Sequence, residues 1–488
     1  MDELEERKRI KSCQDDFLLF IEAIDKGYKF GTHLTKLGAL LMEVDAGVKD
    51  RIAVSMAPRM GKSQMISIYY PAWYLGRHPD HKVIVASHTA DLAVLMARKV
   101  RNLMQTATYQ AIFPEVRIAA DAKAAGKWNT NKGGEYLATG VGSALAGYGG
   151  NLIIIDDPIS EQSLKGGDFT SLDGVYEWYS AGLRTRLMPM GKICVLHTRW
   201  HSRDLIGRLI KDTQMNEGGD KYEIFEFPAI LTLPDPAYPD DDTKTVEKSL
   251  WPEQWSLESL LKTKASMSHM LWQWNAQYMQ DPTAAESALI KRDWIKWWAK
   301  DSPPTNLHTV VQSWDTALTA KERSDYSYCT TWGVWDNEDG ETHIILLNTV
   351  RAKLEFPELK KAAHDQYEEW KPDSLIIETK ASGHSLVQEL RRSGIFVNEY
   401  SPGKGQNKIA RVNAISDMFA SGHIWFPETS WAAALVEELV GFPAHESDDG
   451  VDATTLALSR IRQGGILPQK NDYTDDEPLN PLRRGTYY

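Results

Sequence analysis

The chain has 488 residues, of which 42% are hydrophobic and 25% charged, a balance that fits packed globular domains and excludes wholesale disorder. At about 100–200 residues per domain, that length calls for two or three domains. Lys and Arg number 55 against 67 Asp and Glu, so the formal net charge is −12; a polycation coating nucleic acid by bulk charge is excluded, a locally basic groove is not.

The N-terminus, MDELEERKRIK, is charged from the start and carries no apolar signal core. Residues 4–25 then place Phe17, Leu18, Ile21 and Ile24 on one side of a helix, within a helical lead-in over 1–50. IAVSM (52–56) reads as a buried strand, 62–73 as a helix, KVIVAS (82–87) as a second strand and 91–104 as an amphipathic helix. Further apolar strands are expected at 152–155 and 193–197. Strands alternating with helices over 51–230 predict an α/β core with a mostly parallel, doubly wound sheet. Residues 231–252 are rich in Pro and Asp, and open a linker or lid region over 231–300. Three strands at 310–315, 328–335 and 343–350 predict an antiparallel meander, followed by a helix at 358–370 and a buried strand at 374–378. They begin a second α/β domain over 301–465, and 466–488 reads as a flexible tail. No window approaches 18 uninterrupted apolar residues, so no membrane partner is expected. Cys13, Cys194 and Cys329 are far apart and form no C-x-x-C pair, which argues against a disulfide framework and fits a reducing compartment.

Two sets of residues carry chemistry. Pro58-Arg59-Met60-Gly61-Lys62-Ser63-Gln64 follows the first strand and opens a helix, the context of a phosphate-binding loop. Backbone N–H groups at the helix start would hold phosphate oxygens, Lys62 would reach the β/γ-phosphates and Ser63 would ligate Mg²⁺. Met56 stands where such a loop has its first glycine. The apolar run 152–155 ends in Asp156-Asp157, where Asp156 would hold Mg²⁺ and Asp157 would polarise an attacking water. Thr198, at the tip of the 193–197 strand, is the candidate sensor of the γ-phosphate. Arg59, Arg184, Arg186 and Arg199 are candidates for an arginine that stabilises transition-state charge.

In the second half, Asp315 ends one strand, Asp325 follows in a polar turn, Glu378 ends a later strand, and Asp448, Asp449 and Asp452 open the last helix. Asp449 and Asp452 are three apart and share one helical face. Carboxylates in this order match an RNase H-like nuclease, in which two Mg²⁺ or Mn²⁺ ions offset the carboxylate repulsion and cut phosphodiesters in line. Gly403-Lys404-Gly405-Gln406-Asn407-Lys408, with Arg411 beyond, combines close-approach glycines with three cations suited to a DNA backbone.

Together these residues resemble the large terminase subunit of tailed bacteriophages. The likeness runs from about residue 17 to 460 through PRMGKS, PAWYLGRHPD (71–80), ASHTADLA (86–93), LIIIDDP, LRTRLMPMGKICVLHTRWHSRDLIGRL (183–209), LWPEQW (250–255), IIETKASG (376–383) and SDDGVDATTLAL (447–458). The resemblance implies an additional-strand P-loop NTPase followed by an RNase H-like nuclease, using ATP and Mg²⁺, with Mn²⁺ an alternative at the nuclease. It implies a motor that drives double-stranded DNA into a procapsid and cuts concatemers. Its partners would be the portal ring, a small terminase subunit and further copies in a homo-oligomeric ring, a pentamer, working in the host cytoplasm and at the portal vertex. Carried over, Lys62 and Ser63 bind phosphate and Mg²⁺, Asp156 and Asp157 are the acidic pair, and Thr198 couples. Asp315, Glu378 and Asp452 bind the nuclease metals, with Asp449 sharing or replacing the last role. One departure is Gly147-Tyr148-Gly149, where relatives often carry an arginine between glycines. The alternative reading is an ATP-gated DNA nuclease of repair or defence with no packaging role.

Overall fold

The computed structural model describes residues 3–119, 124–161, 170–237, 244–283, 288–299, 307–316, 326–337, 340–379, 383–401, 408–445 and 447–464. The chain divides into two compact units, one formed by Met1–Ala288 with Gly441–Glu446, the other by Leu289–Val440 with Ser447–Tyr488.

The first unit is built on seven strands: β1 (Arg51–Met56), β2 (Lys82–Ser87), β3 (Lys127–Asn129), β4 (Glu135–Gly140), β5 (Gly150–Asp156), β6 (Leu187–His197) and β7 (Glu223–Phe227). Their order is β3-β4-β2-β5-β6-β1-β7, parallel throughout except for the β3–β4 pair. β6 thus separates β1, which feeds the phosphate-loop sequence, from β5, which ends in the paired aspartates. All of β1 and nearly all of β5 are buried, as expected of parallel strands covered on both faces. Their uninterrupted apolar runs are the sequence trace of that burial. The registers Ser55↔His197 and Asp156↔Leu196 bring the C-terminal ends of β1, β5 and β6 to one edge, where open α/β sheets bind ligands.

The N-terminal stretch differs from the single helix expected over 4–25. It forms two helices, Glu3–Asp15 and Phe17–Ile24, because the Asp16 carboxylate caps the second by accepting from the N–H groups of Leu18 and Leu19. Phe17, Leu34 and Leu37 enter the same core as Ile52, Val54 and Trp73, and so do Trp251, Leu260 and Trp274. The segments before the phosphate loop and after β7 therefore bury their apolar faces against the sheet layers. β8 (Ile230–Pro234) and β9 (Thr245–Ser249) make a separate antiparallel pair.

The second unit has its own seven-stranded sheet: β10 (Lys296–Trp298), β11 (Leu307–Asp315), β12 (Ser327–Asp336), β13 (Thr342–Ala352), β14 (Ser374–Glu378), β15 (Asn398–Tyr400) and β16 (Ile424–Pro427). The order is β10-β16-β13-β12-β11-β14-β15. β11, β12 and β13 form the expected antiparallel meander, while β14 lies parallel to β11 and β15 parallel to β14. The register Trp314↔Ile377 places the next residues, Asp315 and Glu378, at adjoining strand ends. The helix Asp449–Gln463 packs on this sheet, with Ser313 donating from β11 to the carbonyl of Ala453 at 2.6 Å.

No helix among the described residues is long and apolar enough to cross a membrane. Cys13, Cys194 and Cys329 are all buried free thiols. The expected tail at 466–488 lies outside the described residues, as do Lys404 and Asp325.

Candidate nucleotide and metal sites

In the first unit the turn after β1 carries two left-handed residues, Arg59 at φ +60° and Gly61 at φ +92°. Glycine adopts that conformation freely, while arginine there costs about 1–2 kcal/mol, a strain that clusters at functional turns. The turn is tied from outside: His33 Nε2 is 2.9 Å from the Met60 carbonyl, and the Trp255 indole donates to the Arg59 carbonyl at 3.3 Å. Lys62 and Ser63 then enter a helical run whose Gln64–Tyr69 portion is a π-helix before α-helix resumes at Tyr70–Arg77. The single regular helix expected over 62–73 is thus wound wider where it faces the acidic strand, and such π-turns frequently mark functional sites.

That winding presents two hydroxyls to one carboxylate. Ser63 donates to Asp156 Oδ1 at 3.0 Å and Ser67 to Asp156 Oδ2 at 2.6 Å. Asp156 is fully buried, so desolvation and the neighbouring charge of Asp157 raise its pKa to about 7, against the opposing pull of Ser67, Lys62 and Ser63. Lys62 is only 6% exposed; its Nζ donates to Thr198 Oγ1 at 3.0 Å and lies 3.3 Å from Asp157 Oδ2. Asp157 also sits in the left-handed region, at φ +44°, and accepts from the Thr198 N–H at 3.1 Å. Five predicted residues, Lys62, Ser63, Asp156, Asp157 and Thr198, therefore converge on one edge of the sheet. Beside them opens a cavity of about 620 Å³, lined among others by Pro58, Arg59, Lys62, His88, Asp157 and Thr198. Its size is that of a small-ligand site.

The arginine candidates part company here. Arg199 is buried on Asp204 through Nε, at 3.0 and 3.1 Å, with Nη1 on Glu226, and so braces the loop after β6. Arg184 makes a two-point pair with Asp220 at 2.8 and 3.0 Å, and Arg186 donates to the neighbouring Thr185. Only Arg59 of the four lines the cavity. Ser67 and His88 were not foreseen. The spacing of Ser63 and Ser67 on one helical face was the available signal for the first; His88, whose Nδ1 meets the Asp157 carbonyl at 3.0 Å, follows β2 without a pattern to mark it.

In the second unit Asp315, Glu378, Asp449 and Asp452 form one electrostatic neighbourhood. Desolvation, then Asp452 and Glu378, push the Asp315 carboxyl well above the ordinary range. Burial and the adjacent charges of Asp448 and Glu438 raise Asp449 to about 7. Two close approaches fix the frame. A Cβ on Gly383 would lie 2.0 Å from the Glu378 carbonyl oxygen, and one on Gly450 would meet Leu435 at 2.7 Å and Glu438 Oε1 at 3.0 Å. Glu438 accepts from the N–H groups of Gly450 and Val451, seating the first turn of the helix that carries Asp449 and Asp452. Sequence reasoning passed over Glu438, which sits beside Glu437 in a mostly apolar helix.

Cations already face these carboxylates. Lys408 Nζ is 2.7 Å from both Asp448 Oδ2 and Asp452 Oδ2, and Arg411 Nη2 is 2.6 Å from Asp452 Oδ1. Lys408 and Arg411, expected to meet DNA, thus have acidic partners in this structure. Among the described residues no group of three or more His, Cys, Asp or Glu stands in an arrangement ready to hold a metal. The donor chemistry nonetheless fits a hard divalent ion, since the converging side chains are carboxylates and neither thiol nor imidazole is among them.

The chain is a two-unit α/β protein, with a mostly parallel sheet in the first unit and a mixed sheet in the second. Residues 312–460 match the family described as the terminase RNaseH-like domain. The chain aligns over 89% of its length with 95% of the large terminase of bacteriophage HK97, at a TM-score of 0.52 and 12% sequence identity. The large terminase of the thermophilic bacteriophage D6E aligns over 91% of this chain and 98% of its own, at a TM-score of 0.32 and 11% identity. No curated protein matches the sequence. The chain is therefore similar in fold to the HK97 large terminase, at low sequence identity.

Proposed function

We propose that the chain is the ATPase and nuclease subunit of a viral DNA-packaging motor. In this reading it hydrolyses ATP to move double-stranded DNA into a procapsid and cuts concatemers in its second unit. The observation that carries the reading is the convergence of Lys62, Ser63, Asp156, Asp157 and Thr198 at the ends of β1, β5 and β6, with β6 between the other two. That order supports the additional-strand reading of the first unit, and the terminase RNaseH-like match of the second unit supports the pairing of activities.

In the first site the Lys62 ammonium would bind the β/γ-phosphates in place of its present partners, Thr198 and Asp157. Ser63 and Asp156 would hold Mg²⁺, which when bound neutralises phosphate charge. Asp157, relieved of Lys62, would orient the attacking water and take its proton. Arg59, in the mouth of the cavity, would face the developing phosphoryl charge. Thr198 would report phosphate loss, because its hydroxyl links Lys62 to the Met56 carbonyl at the end of β1 (3.2 Å). In the second site Asp315, Glu378 and Asp452, with Asp449 beside them, would hold Mg²⁺ or Mn²⁺, which when bound activates water and stabilises the leaving oxygen. Lys404 would contribute to DNA-backbone contact. The oligomeric ring, the portal and the small subunit are the partners this role requires, in the host cytoplasm and at the portal vertex.

The test is protection of linear DNA from added nuclease by purified procapsids, this chain and ATP. Protected DNA that depends on all three supports the motor. ATP turnover and DNA cutting with no procapsid-dependent protection would replace it by the ATP-gated nuclease.

A further inference from the structure

Two carboxylates of the second unit, Asp448 and Asp452, are paired with cationic side chains. Lys408 and Arg411 are three residues apart in the helix Lys408–Ala420, so both face the same way. Together they occupy both oxygens of Asp452, and Lys408 also holds Asp448.

We propose that Lys408 is an internal counter-cation of the metal-free site, competing with the divalent ion for Asp452 and leaving it when metal binds. The inference rests on the nuclease reading above. An ammonium 2.7 Å from Asp452 Oδ2 takes the position from which that oxygen would ligate a metal. Two cations cannot share the oxygen without strong repulsion. Asp448 gives the ammonium its second contact, and Arg411 remains on the opposite oxygen of Asp452, so displacement need move only one flexible side chain. Metal loading then involves an exchange of cations. Asp452 keeps a cationic partner throughout, and Lys408 is freed beside the metal, where a DNA phosphate would arrive.

Three readouts on the full-length protein test this without relying on cleavage. Calorimetric titration with Mn²⁺ alone should give the Lys408→Met variant an affinity about ten- to a hundredfold higher than wild type, the scale of one nearby positive charge removed. The same variant in EDTA should melt about 5 °C or more below wild type, because its buried carboxylates lose their partner, and Mn²⁺ should restore more of that loss than it adds to wild type. In the wild-type protein, acylation of Lys408 by an amine-reactive ester, followed by mass spectrometry, should be slow in EDTA and several-fold faster with Mn²⁺. That last measurement stands even if the variant fails to fold. Unchanged or weaker Mn²⁺ binding by Lys408→Met, or acylation indifferent to Mn²⁺, overturns the exchange. If wild type takes up no Mn²⁺ that Asp315→Asn abolishes, the nuclease reading itself fails instead.

Discussion

Both units bury acidic side chains, Asp156 at a strand end and Asp452 in the first turn of a helix, and they stabilise them by different means. In the first, Asp156 receives a hydroxyl on each oxygen, from Ser63 and Ser67, and Lys62 stands one residue away on Asp157. In the second, both oxygens of Asp452 carry full positive charges, from Lys408 and Arg411. Neutral donors hold a carboxylate in place while leaving its charge available to a cation. Ionic partners cancel that charge and must be moved before a metal can use it. In the proposed function, the first site would need no such exchange before it takes a nucleotide and its ion, whereas the second would.

The largest effect expected separates the units outright. Lys62→Ala should lower ATP turnover by about a hundred- to a thousandfold, the scale of losing one preorganised donor to phosphoryl charge, while Mn²⁺-dependent cleavage of plasmid DNA stays within a factor of two or so. ATP turnover that survives would mean the loop after β1 is not the nucleotide site. Asp315→Asn is the reverse case, with cleavage down by about a thousandfold and ATPase unaffected. Loss of both activities in either variant would break the idea of two separate chemistries.

A smaller effect sharpens the contrast within the second unit. Gly383→Ala forces a Cβ to within 2.0 Å of the Glu378 carbonyl, so the backbone that aims Glu378 must shift. The expected cost is about 1–3 kcal/mol in chemical denaturation, with Mn²⁺ affinity reduced and ATPase intact. In the first unit, Ser67→Ala leaves Asp156 with one hydroxyl of its two. Stability should fall by about 1–3 kcal/mol and ATPase about tenfold, and an unchanged enzyme would show that the π-helical turn has no role in holding the acidic strand.

Much of this was legible in the sequence because it was written in periodicity. Parallel strands covered on both faces left the apolar runs of β1, β2, β5 and β6, and strand-end carboxylates left Asp156, Asp315 and Glu378 at visible borders. The helix break at Asp16 was not legible, since Asp16 interrupts no apolar stripe and acts only through its cap. The π-helix was hidden for the same reason, as its residues keep a helical pattern and only backbone hydrogen bonds, such as that of the Tyr70 N–H to the Met65 carbonyl, reveal the wider turn. Most telling are Lys408 and Arg411. Beside glycines they read as a phosphate-binding segment, and sequence distance concealed that Asp448 and Asp452, some 40 residues on, fold back to meet them.

The last expected effect concerns a buried base rather than a buried acid. His201 follows the β6 tip, and burial lowers its pKa from 6.5 to about 4. Its Nδ1 accepts from the Arg203 N–H at 3.0 Å, which requires the neutral ring. The sign follows from proton counting. Between pH 6.5 and 4 the unfolded chain binds a proton at this position and the folded chain does not, so acid favours unfolding across that window. From pH 7 to pH 5 the contribution is about 2 kcal/mol of lost stability. Denaturation curves at the two pH values should show a loss smaller by about that amount in His201→Gln than in wild type. An equal loss in both would mean that His201 keeps its proton in the folded state, and that the loop after β6 is open enough to hydrate it.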